Sequence, residues 1–182
     1  MAIVFRAGTQ ADLDAAARIY EAVFDRQEGG EDYTNWLRGV YPTRDSAKEA
    51  LEAGTFYVAE EEGRVGAVAN LNHCQLPEYE QGDWSVRAEG DQVMVIHTLC
   101  VDPAWAGRGV GAAFVSFAEE LGRKQGCRTL RLDTFEGNRP ARRLYTSLGY
   151  RQAGIVDCLF MDGRRKNLVL FEKTLLSAEE NR

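Results

Sequence analysis

Three glycines stand close together in the middle of the chain, as Gly107, Gly109 and Gly111. The apolar run before them predicts a strand, and the helical pattern after them predicts a helix. The first backbone N–H groups of a helix have no partner and its dipole adds partial positive charge, so a phosphate can bind there. Glycine lets an anion approach the backbone closely, and Arg108 adds a charge beside the turn. Tight packing of the helix on the strand is the other explanation for the same residues.

The phosphate ligands that such a turn accepts differ in the motif they require. The sequence has no GK[ST], which excludes a Walker A loop. Gly107, Gly109 and Ala112 satisfy the dinucleotide pattern GxGxxA, and Asp133 ends the next predicted strand, where a ribose-binding acid belongs. However, the residues DPAWA separate the strand from the glycines, which is unusual for a dinucleotide fingerprint. An NAD(P)-dependent oxidoreductase therefore remains an alternative.

The elements that position these residues follow from the spacing of apolar side chains along the chain. Strands are predicted over 3–7, 93–101 and 127–135, with hairpins over 55–72 and 151–175. Helices are predicted over 9–24, 44–54, 110–125 and 138–150, with Thr9 as the first N-cap and loops over 26–33 and 76–92. We expect one α/β domain over residues 1–176 and a frayed tail over 177–182.

The composition narrows the class of protein. The chain has 182 residues, of which 45% are hydrophobic and 27% charged, as in a folded domain. Its formal net charge of −6 argues against a nucleic-acid partner and favours cationic small molecules. Four scattered cysteines without a CxxC pair, and two histidines, predict no metal site and fit a reducing compartment. Without a signal peptide or a long apolar run, we expect a cytoplasmic protein that does not bind membranes.

Residues 93–155 resemble the acyl-CoA-binding core of the GCN5-related N-acetyltransferase (GNAT) superfamily. The resemblance rests on the strand end VDP, the glycine turn, and NRPARRLYTSLGY, which matches the pattern N-x-x-A-x-x-L-Y-x-x-L-G-Y. The preceding order of two helices and a hairpin agrees with that family, which implies a GNAT-like domain with a mixed central β-sheet and flanking helices. The family usually has Gln or Arg where Ala106 stands, so one side-chain contact to the pyrophosphate is missing.

The resemblance implies a set of cofactor-binding residues and acetyl-CoA as the co-substrate. It implies that the backbone of Leu99, Cys100 and Val101 pairs with the pantetheine arm and polarises the thioester carbonyl. The rest of the implied set is Gly107, Arg108, Gly109, Val110, Gly111, Ala112, Asn138 and Arg142. From the residues alone, Asn138 is equally acceptable as a helix N-cap, and Arg142 as part of a solvated helix face.

Acyl transfer to an amine requires a base, because an alkylammonium of pKa near 10.4 is only about one part in 2,500 neutral at pH 7. His97 interrupts an apolar strand and would share a face with Leu99 and Val101 in a regular strand. We predict His97 as the base, with a hydrogen-bonded buried histidine as the alternative. The resembled family often uses a water chain or a glutamate instead, and the carboxylates of the long loop are held in reserve as bases: Glu78, Glu80 and Glu89.

The departing thiolate requires an acid. The resemblance assigns this role to Tyr145, whereas the residue type alone is also consistent with a core aromatic whose hydroxyl is satisfied at the rim. Cys100 is a formal candidate for a covalent acyl-cysteine route, but it lacks a better partner than His97.

The acceptor side of the sequence is carried by aromatic residues. In the resembled family the first two helices and their connecting loop shape the acceptor pocket, and here that loop holds Trp36 and Tyr41. Aromatic rings bind cations, although they also pack in cores. We therefore predict an acetyltransferase that acts on a primary amine of a small molecule or peptide by direct attack in a ternary complex, as a monomer or homodimer. A non-catalytic acyl-CoA-binding sensor is the second alternative.

Overall fold

The computed structural model describes residues 2–30, 33–160 and 163–176. Its strands are β1 (Val4–Ala7), β2 (Phe56–Glu61), β3 (Arg64–Asn72), β4 (Val93–Val101), β5 (Thr129–Phe135), β6 (Arg151–Leu159) and β7 (Arg165–Thr174). Its helices are α1 (Leu13–Glu28), α2 (Arg44–Glu52), α3 (Val110–Lys124) and α4 (Arg139–Ser147). The seven strands form one sheet in the order β1-β2-β3-β4-β5-β7-β6, which confirms the predicted mixed α/β fold.

The pairing directions separate this sheet from a dinucleotide-binding one. The pairs β1–β2, β2–β3, β5–β7 and β6–β7 are antiparallel. The pair β4–β5 is parallel, with Val93–Ile96 opposite Thr129–Leu132. A doubly wound dinucleotide fold is built from parallel strands, so the oxidoreductase alternative loses its structural basis.

The chain divides into two compact units. The first unit comprises the residues up to Leu71 together with His97–Val115, and the second comprises Asn72–Ile96 together with the residues from Ser116 onward. The core of the first unit forms where α1 and α2 bury one face each, as their helical spacing predicts. Its largest buried side chains on α1 are Leu13, Ile19, Tyr20 and Phe24. The core of the second unit draws on β4, β6 and β7 and on the segment that precedes β4.

Two predicted loops contain more order than expected. Helix α1 continues to Glu28, past the predicted end at residue 24, and three of its carboxylates bind one guanidinium, that of Arg38. The predicted loop 76–92 contains 3₁₀ turns at Pro77–Gln81 and Gly90–Gln92. The contact from Arg38 lies beyond the helix itself, so the apolar spacing of α1 did not reveal it.

A buried ion pair anchors the second of these loops. Glu172, which is 1% exposed, accepts hydrogen bonds from the backbone N and the Oγ of Ser85, both at 2.7 Å. Arg131 lies against Glu172 (Nε–Oε1 3.5 Å) and donates to the carbonyl oxygen of Val86 at 2.7 Å. The loop is therefore bound to strands β5 and β7 by two charged side chains that are themselves paired.

The predicted C-terminal tail over 177–182 lies outside the described residues, and the boundary of a single domain at residue 176 stays a prediction. Among the helices that the structure describes, none is both long enough and apolar enough to cross a membrane.

Candidate active site

The glycine turn has the backbone geometry that its sequence predicts. Strand β4 ends at Val101, a short 3₁₀ turn follows over Pro103–Trp105, and α3 begins at Val110. Gly107 and Gly109 have φ angles of 76° and 74°, in the left-handed region that residues other than glycine rarely adopt. A Cβ built on either residue would have nothing within 4 Å, so the space above the turn is open. The turn therefore presents accessible backbone at the N-terminus of a helix, as an anion requires.

The residues between β4 and the glycines are held in place by contacts of Asp102 and Trp105. Asp102 accepts a hydrogen bond from the Ala104 backbone N at 2.9 Å and one from Arg18 Nη1 at 2.6 Å. Burial by itself raises the pKa of Asp102, but the Arg18 and Ala104 donors outweigh it and hold the net pKa below its usual value. Trp105 packs on Gly66, where a Cβ would come within 2.1 Å of the indole. Only glycine fits at residue 66, and the turn is fixed to β3 by this contact.

Arg108 was predicted to place its charge beside the turn. Its guanidinium instead pairs with Glu61, with Nη2 at 2.8 Å from Oε2, and lies 4.7 Å from the ring centroid of Trp105. Nη2 of Arg108 is therefore already paired with a carboxylate, whereas the backbone of the turn lies beside open space.

The end of β4 departs from a regular strand. Thr98 has a φ of 52°, which is an outlier for a β-branched residue. Such a residue interrupts the alternation of side chains, as in a β-bulge. The expectation that His97, Leu99 and Val101 share one face required a regular strand and therefore loses its basis. His97 itself is half-buried, as are Leu99 and Val101.

Cys100 is 3% exposed and lies in the core of the first unit. Burial, with a smaller contribution from Asp102, raises the pKa of its thiol. A nucleophilic cysteine needs a lowered pKa. These surroundings therefore disfavour the acyl-cysteine route.

The two predicted acceptor aromatics have different environments. Trp36 packs against the core of the first unit and meets Tyr41 edge-to-face, with ring centroids 6.4 Å apart. The hydroxyl of Tyr41 is hydrogen-bonded to Oγ1 of Thr98 in β4. Trp36 is thus partly a core residue, and Tyr41 joins the predicted acceptor loop to the strand that carries His97.

In the second unit, Tyr145 lies on α4 and is 6% exposed. Its ring packs against those of Tyr150 and Phe171, with centroids 5.8 and 5.7 Å away. Among the described residues, no acceptor takes a hydrogen bond from its hydroxyl. Burial, together with the nearby Asp133 carboxylate, raises the pKa of Tyr145. The phenol is therefore protonated at neutral pH, which is the state that a general acid requires.

Asp133 is the residue of this region that sequence reasoning missed. It was considered only as a ribose-binding acid, yet its Oδ2 accepts a hydrogen bond at 2.8 Å from the hydroxyl of Tyr79. Burial raises the pKa of Tyr79, so this donor keeps its proton. The available signal was an acidic residue near the C-terminal end of a buried strand, where functional side chains are often found.

The remaining predicted residues of the second unit both make local hydrogen bonds. Asn138 caps α4, and its Oδ1 accepts from the Ala141 backbone N at 3.2 Å. Arg142 donates from Nη1 to the carbonyl oxygen of Glu136 at 3.0 Å.

Of the three loop glutamates held in reserve, Glu78 is half-buried and accepts from the Sγ of Cys158 at 3.3 Å, whereas Glu80 and Glu89 are exposed. Over the described ranges, no three His, Cys, Asp or Glu side chains are grouped in the manner of metal ligands.

Comparison with known proteins identifies a family, a relative in sequence, and solved structures with the same fold. Residues 9–150 match the model of the acetyltransferase (GNAT) family. The chain is 33% identical over 153 residues to an uncharacterized N-acetyltransferase of Methanocaldococcus jannaschii, which covers 81% of this chain and 60% of that protein. The chain thus spans about three-fifths of the length of this relative.

Solved structures share the architecture at lower identity. An acetyltransferase of the GNAT family from Streptococcus agalactiae has a TM-score of 0.77 and 21% identity, and covers 94% of this chain and 95% of its own. A protein of Salmonella typhimurium described as an acetyltransferase, solved with its cofactor acetyl-CoA, has a TM-score of 0.70 and 22% identity, and covers 97% and 96%. The family match spans the glycine turn, β4 and α4, and the chain belongs to the acetyltransferase (GNAT) family.

Proposed function

We propose that this protein transfers an acetyl group from acetyl-CoA to a primary amine of a small molecule or peptide. The observation that carries the proposal is the glycine turn, with two left-handed glycines, open space above them and a helix that begins at Val110. The Salmonella neighbour, which was solved with acetyl-CoA, supports the choice of co-substrate. The cationic form of an amine also suits a chain with a formal net charge of −6.

The residues present fit a pyrophosphate. The amides from Gly107 to Ala112 supply N–H donors where α3 begins, and the open space at Gly107 and Gly109 admits an anion that a Cβ would obstruct. The missing side chain at Ala106 makes this binding depend on the backbone. The parallel ladder between β4 and β5 ends at Ile96, so we assign the pantetheine arm to the backbone of Leu99–Val101. We also assign Asn138 and Arg142 to the residues that bind acetyl-CoA.

The reaction needs two proton movements, and acetyl-CoA supplies the activated thioester. The amine nitrogen forms a bond to the carbonyl carbon, the carbon–sulfur bond breaks, and the electron pair leaves with the sulfur. His97 takes the proton that the amine loses, which offsets part of the roughly 4.6 kcal/mol needed to deprotonate an alkylammonium at pH 7. Tyr145, whose pKa is raised by burial, holds the proton that the thiolate acquires.

On the acceptor side we assign Trp36 to the surroundings of the amine, within the loop that also carries Tyr41. We further propose that residues 1–176 act as one catalytic domain, as a monomer or homodimer. The four cysteines are all free thiols, which fits the reducing cytoplasm.

An acetyl-transfer assay tests this function. Acetyl-CoA is incubated with a panel of polyamines, amino acids, aminoglycosides and peptide N-termini, and both CoA release and the mass of the product are measured. We expect at least one amine to gain an acetyl group, with initial-rate patterns that intersect as in a ternary complex. Parallel patterns would indicate a covalent acyl-enzyme instead. Tight acetyl-CoA binding without turnover on any amine would favour the sensor alternative.

A further inference from the structure

Thr98 is held in a conformation that it would not choose by itself. Its φ of 52° lies in the left-handed region, where a residue other than glycine pays roughly 1–2 kcal/mol. Such conformations persist when the surroundings over-determine them, and they cluster at functional sites. Thr98 stands directly before Leu99–Val101, the segment to which the proposed function assigns the pantetheine arm.

The contact that reaches Thr98 comes from the loop between α1 and α2. Oγ1 of Thr98 is hydrogen-bonded to the hydroxyl of Tyr41. The backbone N of Tyr41 donates to the carbonyl oxygen of Leu37 at 3.0 Å, and the ring of Trp36 packs edge-on against that of Tyr41. Tyr41 therefore sits in a closed turn with a packed ring, so its hydroxyl has a defined position.

The same loop is attached to α1 by polar contacts. Gln27 donates to the carbonyl oxygen of Trp36 at 3.3 Å and accepts from Thr34 Oγ1 at 2.6 Å. Arg38 binds three carboxylates on one face of α1, those of Glu21, Asp25 and Glu28. The loop is thus fixed at one end to a helix, and its Tyr41 reaches the irregular residue of β4. All these residues belong to the first unit.

We propose that Tyr41 is a positioning residue, which holds Thr98 in the left-handed conformation and so sets the direction of the Leu99–Val101 backbone for acyl-CoA. This inference rests on the proposed function, because it names the residue that prepares the strand for its ligand. It also changes the expected role of Tyr41, since a hydroxyl committed to Thr98 acts on the acyl-CoA side of the reaction. The loop between α1 and α2, which was expected to contact only the amine, thereby influences the affinity for acetyl-CoA.

The first test compares Tyr41→Phe with Tyr33→Phe. Tyr33 lies in the same loop, and its hydroxyl has no hydrogen bond among the described residues. We expect Tyr41→Phe to weaken acetyl-CoA binding by roughly 2- to 10-fold in calorimetry, as for the loss of one hydrogen bond, with the KM for the amine unchanged. Tyr33→Phe should alter neither value. A raised KM for the amine with unchanged acetyl-CoA affinity would show that Tyr41 contacts the acceptor, and would overturn the proposal.

Substitutions at Thr98 separate conformation from contact. Thr98→Val keeps the branched shape without the hydroxyl, so we expect it to weaken acetyl-CoA binding as Tyr41→Phe does, with no further loss in the double variant. Thr98→Gly adopts the left-handed region freely and should lose less affinity than Thr98→Val. Equal losses for Val and Gly, or additive losses in the double variant, would contradict the positioning role. These variants also serve if Tyr41→Phe fails to fold.

A measurement without ligand distinguishes failure of this proposal from failure of the proposed function. Amide hydrogen exchange over residues 97–101 in the free protein should be faster in Tyr41→Phe than in the wild type, and unchanged in Tyr33→Phe. If the wild type binds no acetyl-CoA, the proposed function is wrong, while faster exchange still shows that Tyr41 orders the strand. Unchanged exchange in a folded Tyr41→Phe would refute the positioning role whatever the ligand.

Discussion

The proposed function uses different kinds of group in two regions, the glycine turn of the first unit and the surroundings of Tyr145 in the second. At the turn, the proposed donors are backbone N–H groups, and a Cβ at Gly107 or Gly109 would face open space. At Tyr145, the proposed group is one hydroxyl, whose pKa is raised by burial and by Asp133. The first kind leaves a sequence motif, because only glycine permits it. The second kind depends on packing, which a motif indicates only by resemblance.

We expect the largest effect at Tyr145. If its hydroxyl is the acid and not a binding contact, Tyr145→Phe should lower kcat by roughly 10- to 1,000-fold and leave acetyl-CoA affinity unchanged. Since its pKa is raised, kcat should show no decline from ionisation of this phenol below about pH 10, the ordinary range for tyrosine. Steady-state rates from pH 6 to 10, at saturating substrates, measure both effects.

Tyr150→Phe is the matched control for that variant. It removes a hydroxyl that donates to Glu119 Oε1 at 3.1 Å, so we expect a stability loss of about 1 kcal/mol with kcat preserved. An unaltered kcat in Tyr145→Phe, where chemistry limits the rate, would show that water protonates the thiolate.

His97 tests whether a side chain in the first unit also carries proton chemistry. If His97 is the base, His97→Gln should lower kcat/KM by roughly 100-fold, because no side chain then accepts the proton of the amine. His73→Gln, the variant of the other histidine, should keep the wild-type kcat/KM. If His97→Gln also keeps kcat/KM and only its melting temperature falls, His97 is structural and Glu78 becomes the next candidate.

Substitution of Gly109 tests whether the backbone of the glycine turn contacts acetyl-CoA. Gly109→Ala places a Cβ on a residue of φ 74°, so the turn must relax or carry strain, and acetyl-CoA affinity should fall roughly 5- to 30-fold. Gly54→Ala introduces the same strain at φ 72° after α2, also with open space around the new Cβ. Calorimetry and thermal unfolding should show a similar stability loss in both variants, but weaker acetyl-CoA binding in Gly109→Ala alone. Equal affinities would mean that the turn does not contact the ligand.

The ion pair of Arg108 with Glu61 allows a test of whether the Arg108 charge contributes to acetyl-CoA binding. Glu61→Gln removes the partner of Arg108, and we expect acetyl-CoA affinity to rise roughly 2- to 5-fold at low salt, with less gain at high salt. Glu62→Gln removes the same formal charge from the neighbouring exposed position and should have a smaller effect. Titrations at two ionic strengths distinguish these cases. A fall in affinity on Glu61→Gln would show that the ion pair orders the turn.

Much of the fold was predictable because it depends on local patterns. The burial of Leu13, Ile19 and Phe24 on α1 follows from helical spacing, and the hairpin of β2 and β3 follows from its turn residues. The extension of α1 to Glu28 did not follow, because Arg38 binds its last turns from another segment. Strand order and direction depend on contacts between distant segments, so periodicity did not give them, and the resemblance implied only that the sheet is mixed.

Some features of the candidate site were predictable from the sequence and others were not. The left-handed glycines were visible in the sequence, whereas the left-handed Thr98 was not, because threonine gives no signal of such a conformation. The role of Asp133 beside Tyr79 and Tyr145 required three elements to be packed together. The backbone conformation of the two glycines was therefore visible in the sequence, whereas the conformation of Thr98 and the contact of Asp133 depend on packing and were missed.

Titration calorimetry of the wild type tests whether the glycine turn binds acetyl-CoA through its backbone. Acetyl-CoA and NAD are titrated separately into the same preparation, followed by acetyl-CoA into Gly109→Ala. Such binding predicts saturation at one acetyl-CoA per chain, no heat with NAD, and weaker acetyl-CoA binding in the variant. Binding of NAD with no heat from acetyl-CoA would contradict it.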